Sequence, residues 1–192
     1  MLRAATFIAA IIAIGIGQNI LQNGPSTHPA PTIKALTDAL RLQSKADFVA
    51  AWRAAPAPKE SDFRGKMFDA SLPSLGVLAP ISAFITHQLF GGIGGGPWLG
   101  KTFDATGGGR NRFTRSGIRV AFAATVGPSA YDGKPCLILD YSTGDSILWG
   151  TILGMRDELR QVAPGVWLGL GSMLASGGMR NSAPFIMWPA KK

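Results

Sequence analysis

One eight-residue pattern is written twice in this chain, and it constrains the fold more than any other feature. Residues 63–70 read Phe-Arg-Gly-Lys-Met-Phe-Asp-Ala and residues 98–105 read Trp-Leu-Gly-Lys-Thr-Phe-Asp-Ala. A period of two runs through both copies. Lys66 and Phe68 share one side of an extended strand with Gly65 and Asp69 on the other, and Lys101, Phe103, Gly100 and Asp104 repeat the arrangement. Each copy is therefore expected to form a β-strand, and the shared Gly-Lys to serve both strands in the same way.

The second copy overlaps a nucleotide-binding pattern. Residues 95–102 satisfy G-x-x-x-x-G-K-[ST], and Asp140 at the end of an apolar run would supply the magnesium-side carboxylate. That chemistry needs a helix opening at the Lys-Thr, with its N-terminus facing the phosphates. Gly107, Gly108 and Gly109 follow within two turns of Thr102, and each would cost roughly 1 kcal/mol in helix propensity relative to alanine. A Gly-rich turn entering a strand is the favoured reading.

Downstream the alternation continues. Ile118, Val120, Phe122 and Ala124 alternate with Arg119, Ala121, Ala123 and Thr125, and a turn over residues 127–133 leads into an apolar strand at 135–141. Residues 155–162 and 166–174 flank the turn Ala163-Pro164-Gly165, and a last strand spans 184–188. With the two octapeptides and residues 112–115 this gives about eight strands on short turns. Such a sheet removes its exposed edges most simply by closing into an antiparallel barrel.

Paired Gly-Lys-x-Phe elements ahead of a β meander, and a Tyr-Asp-Gly-Lys-Pro turn leading into Leu-Ile-Leu-Asp-Tyr, resemble the lipocalin-like (calycin) barrels, in particular the GXWXG-type domains of unknown function. The resemblance covers roughly residues 61–189, with Phe63 standing where those domains favour Trp and a long apolar insertion at residues 72–90. It implies a mainly β fold, an antiparallel calycin-like barrel enclosing a small hydrophobic molecule.

Ahead of the barrel, Arg3 precedes an uncharged apolar run, so residues 1–21 are read as a signal peptide or membrane anchor and the chain as membrane-associated or exported. Residues 22–60 are read as a tether followed by one or two short helices: Phe48, Ala51 and Trp52 recur at helical spacing, Ser44 stands at a helix start, and Pro56 and Pro58 stop it. The barrel domain takes residues 61–192. Residues 72–90, apolar almost throughout, read as a buried helix, a lid, or a segment dipping into lipid.

The balance is basic at +8, but Lys and Arg are scattered singly, without the stripe that nucleic acid requires, so no nucleic-acid partner is expected. With His28 and His87 the only histidines and Cys136 the only cysteine, neither a metal site nor a Cys-His nucleophile is expected, no catalytic residue is assigned, and no cofactor is implied.

The strand faces suggest where a ligand would lie. Gly169 and Gly171 oppose Leu168 and Leu170, and Ala121 and Ala123 oppose Val120 and Phe122; a cavity remains if the small faces point inward. Arg119 and Trp167 belong to those small faces, and a buried Arg119 would seek a carboxylate such as Asp140 or the head of a fatty-acid-like ligand. The candidate ligand-binding residues are Trp98, Phe103, Arg119, Ala121, Ala123, Asp140, Tyr141, Trp167, Gly169 and Gly171. The expected function is binding or carriage of an apolar small molecule of fatty-acid, isoprenoid or sterol type. The alternatives are a lipid-modifying or isomerising enzyme using Asp140, Tyr141, Arg156 and Glu158, and a subunit of a membrane complex that docks through residues 72–90.

Overall fold

Eight strands pair in chain order and the last returns to the first, closing an antiparallel barrel. The computed structural model describes residue 38 and residues 44–73, 95–143, 145 and 147–190. The anchor expected at 1–21, the tether behind it and most of the apolar segment at 72–90 lie outside the described residues. Among the described residues no helix is long and apolar enough to cross a membrane.

Helix α1 (Lys45–Ala54) starts where the sequence places it, with the Ser44 hydroxyl accepting from Asp47 N and Asp47 in the first turn. It ends before Pro56. Phe48 and Trp52, four residues apart, are buried against the outside of the barrel. There they join Cys136, Ile138, Leu168, Leu170 and Ile186, the outward residues of the strands called β5, β7 and β8 below.

The barrel is built from β1 (Met67–Ser71), β2 (Trp98–Phe103), β3 (Gly108–Phe113), β4 (Gly117–Pro128), β5 (Pro135–Asp140), β6 (Arg156–Ala163), β7 (Val166–Ser172) and β8 (Ala183–Pro189). The two octapeptides lie side by side, with Phe68 opposite Lys101 and Asp69 opposite Gly100. A side chain at Gly100 would strike the Phe68 carbonyl at 2.2 Å, so this seam requires glycine.

The first octapeptide departs from the expected strand. Its leading half is a turn: Phe63 N donates to Glu60 O, Gly65 takes a left-handed φ of 66°, and β1 begins only at Met67. Lys66 is exposed and donates to Asp62 O, whereas Lys101 is buried in the lumen, so the two Gly-Lys pairs do not share a role. In the second copy Thr102 continues β2, which removes the helix that a phosphate-binding loop would need.

The lumen is lined by bulky side chains. Phe63 closes one end, its ring 4.9 to 5.1 Å from those of Phe68, Phe103 and Trp167. Two glycines make room for rings on the neighbouring strand: Gly169 faces its pairing partner Phe185, and Gly109 faces Phe122. A Cβ at Gly169 would sit 2.1 Å from the Phe185 ring. At the opposite end Trp149 and Met155, from the connection between β5 and β6, pack half-buried against the same interior cluster.

Candidate functional site

Four polar side chains meet inside this aromatic lining. Tyr141, which directly follows β5, and Asp157 come from the regularly paired β5 and β6, and two bulges shape the other wall. A register shift between Trp98 and Gly100 turns both Trp98 and Lys101 inward, and another, between Arg110 and Asn111, leaves Val120 as the extra residue of β4. Val120 has a φ of 57°, a conformation that costs a β-branched residue on the order of 1–3 kcal/mol. Its carbonyl accepts a hydrogen bond from Asn111 Nδ2 at 3.1 Å, which fixes the amide.

The ammonium of Lys101 is only 1% exposed and spends its three protons on Asn111 Oδ1 at 2.8 Å, Tyr141 Oη at 2.7 Å and Asp157 Oδ2 at 2.8 Å. Tyr141 in turn donates to Asp157 Oδ2 at 2.8 Å and accepts from Asn111 Nδ2. Asn111 Oδ1 also accepts from Trp98 Nε1 at 3.1 Å. Rings of Trp98, Phe122, Tyr141 and Phe185 stand with their centroids 5.2 to 5.4 Å from Lys101 Nζ, within reach of cation–π attraction.

Donors and acceptors can be matched one by one. Lys101, Asn111 and the Tyr141 hydroxyl are fully used, as is Asp157 Oδ2. Asp157 Oδ1 accepts no hydrogen bond among the described residues. It faces the bare backbone of Gly171, where a Cβ would stand 3.0 Å away. A second open valence is the indole N–H of Trp167, buried without a partner. Burial pushes the Lys101 ammonium below the ordinary lysine range while Asp157 pulls it back. Burial, and then the Asp157 charge, push the Tyr141 phenol well up.

Of the residues chosen from sequence, Trp98, Phe103, Tyr141, Trp167, Gly169 and Gly171 lie on the lumen face. Arg119, Ala121 and Ala123 face outward. The bulge at Val120 and the greater apolar area of Val120, Phe122 and Ala124 turn the large face of β4 inward, so the small-face expectation holds for β7 and fails for β4. Arg119 is exposed and does not meet Asp140, which accepts from Ser142 N at 2.8 Å on the outside. Arg156 and Glu158 are also outside and pair with each other at 2.9 Å; of the four enzyme candidates, only Tyr141 enters the lumen.

Lys101, Asn111 and Asp157 were missed. Two of them left a signal: Lys101 shares the period of Phe103, and Asp157 shares the period of Leu159 on the face opposite Arg156, Glu158 and Arg160. Asn111 left none, because the bulge that aims it inward has no sequence mark. Cys136 is an outward hydrophobe whose thiol is pushed up to about 12 by burial, and His87, the histidine that a Cys-His pair would have needed, lies outside the described residues.

No protein-family model and no curated protein matches the chain. A crystal structure of a protein from Thermomonospora curvata is similar in fold, with a TM-score of 0.54 at 10% identity, covering 83% of this chain and 96% of that one. At that identity the likeness concerns the fold alone.

Proposed function

We propose that this chain is a calycin-type barrel that binds one compact apolar molecule carrying a single polar group. A closed eight-stranded barrel has room for packed side chains or for one small ligand. The observation that favours a ligand is the open Asp157 Oδ1, a carboxylate oxygen inside an aromatic lumen that approaches the bare backbone of Gly171, where even a Cβ would stand only 3.0 Å away. A ligand hydroxyl or N–H placed against this oxygen would gain a charge-assisted hydrogen bond.

The lumen already holds the rings of Phe68, Phe103, Phe122, Trp167 and Phe185, so the ligand is compact and flat, and an extended fatty acid, isoprenoid or sterol would have to displace rings. Entry is assigned to the end covered by Trp149 and Met155, nearest Tyr141 and Asp157.

Native mass spectrometry of the protein purified in mild detergent, followed by a tryptophan-fluorescence titration with cinnamyl alcohol, tests the reading. A co-purifying small molecule or saturable quenching is expected, and Gly171→Val should abolish either while the near-ultraviolet circular dichroism stays native. Absence of both in the unaltered protein would end the proposal.

A further inference from the structure

We infer that the polar group of the ligand is an aldehyde or ketone and that Lys101 holds it as an imine; the inference rests on reading the barrel as a small-molecule binder. The choice of lysine is the first argument. Where this molecule needs a purely structural buried cation it uses Arg160, with its planar fork and permanent charge; the lumen instead carries a primary amine, the one cationic side chain that loses its proton readily when buried and adds to carbonyl carbon.

The neighbours of Nζ are those the addition requires. Asp157 Oδ2 at 2.8 Å takes a proton from the ammonium, and the neutral amine attacks the carbonyl carbon to give a carbinolamine. Tyr141 Oη, 2.7 Å from Nζ, donates its proton to the carbinolamine oxygen, which leaves as water as the C=N bond forms. The proton held by Asp157 then returns to the phenolate. One amine and one carbonyl thus become one imine and one water, with no oxidant or reductant. The iminium keeps its positive charge opposite Asp157 and within the rings of Trp98, Phe122 and Phe185, which also exclude the water that would hydrolyse it. The lowered proton affinity of Lys101 acts in the same direction.

The test is reductive trapping. The full chain is incubated with one equivalent of cinnamaldehyde and sodium cyanoborohydride, and the site of labelling is read by peptide mapping. The adduct is expected on Lys101 in preference to exposed lysines such as Lys66 and Lys134, to be competed by cinnamyl alcohol, and to spread evenly over all lysines once the protein is unfolded in guanidinium. Lys101→Met and Lys101→Arg should both lose the adduct completely; Lys101→Arg, which keeps the charge, guards against a result due only to misfolding. An unlabelled Lys101 in protein that still binds cinnamyl alcohol overturns the imine and leaves the binding reading standing. Failure of both probes overturns both.

Discussion

The barrel wall separates two buried cations that are built for opposite ends. Outside, under α1, the guanidinium of Arg160 is fully buried and uses all five of its N–H groups: two on Asp132 at 2.7 and 2.9 Å, and three on the carbonyls of Pro135, Arg53 and Lys134. Its plane stacks on Trp52 at 4.0 Å, so helix, turn and strand are tied by one side chain. Inside, Lys101 is equally buried and equally satisfied, but its counter-ion keeps one oxygen open and its own charge is opposed by burial. A clamp closes every valence around a permanent charge. A binding centre leaves one valence open beside a charge that can be given up.

The comparison breaks most visibly if the clamp is removed. Arg160→Met takes from Asp132 its buried partner, leaving the more distant Arg53, and releases the end of α1, and a loss of about 3–5 kcal/mol is expected in urea unfolding. Adding Asp132→Asn should restore little, because three of the five contacts were to carbonyls. Lys101→Met leaves the Asp157 carboxylate buried without its counter-ion, with only the Tyr141 hydroxyl donating to it among the described residues, and an expected loss of about 3 kcal/mol. In Lys101→Met/Asp157→Asn most of that should return, to within about 1 kcal/mol of the unaltered protein. Equal recovery at the two sites would erase the distinction between them.

A smaller change probes the packing beside the inner centre. Gly169→Ala forces the Phe185 ring off its position and should destabilise by about 1–3 kcal/mol, partly relieved by Phe185→Leu.

The finest test is pH. Hydrogen bonds from Arg160 hold Asp132 below the ordinary aspartate range, so the stability they supply is present above that range and is lost as the pH falls through the folded value. Arg160→Met should lack this acid step. Lys101 is shifted downward, so the unfolded chain binds more protons between the folded value and the ordinary lysine value of 10.5, and stability rises with pH across that window. Tyr141, shifted upward, gives a fall above its ordinary value of 10.0. Urea titrations across the alkaline range should show the rise, and Lys101→Met should remove it.

Much of this architecture was legible. Ser44, Phe48 and Trp52 marked α1, and the alternation over residues 118–125, 135–141 and 155–174 marked four strands and their turns, because period and turn chemistry act locally. What escaped depends on a bulge and a turn. The extra residue at Val120 split the faces of β4, and the turn over residues 63–66 left Lys66 outside while β2 carried Lys101 into the lumen, despite near-identical surroundings in sequence. The site was half legible for the same reason. Its aromatic lining, Lys101 and Asp157 lie on faces that period marks, while Asn111 required knowing which strand slips by one residue and where.

The seam between Met67–Ser71 and Ala183–Pro189 has a consequence for how the molecule is made. The first strand waits for its second neighbour until almost the whole barrel has been synthesised, so the ring is completed by a contact spanning more than a hundred residues, a topology associated with slow folding. Losing the final strand would bare two edges at once, on β1 and on β7, and turn a self-contained cylinder into a sheet open to pairing with other chains.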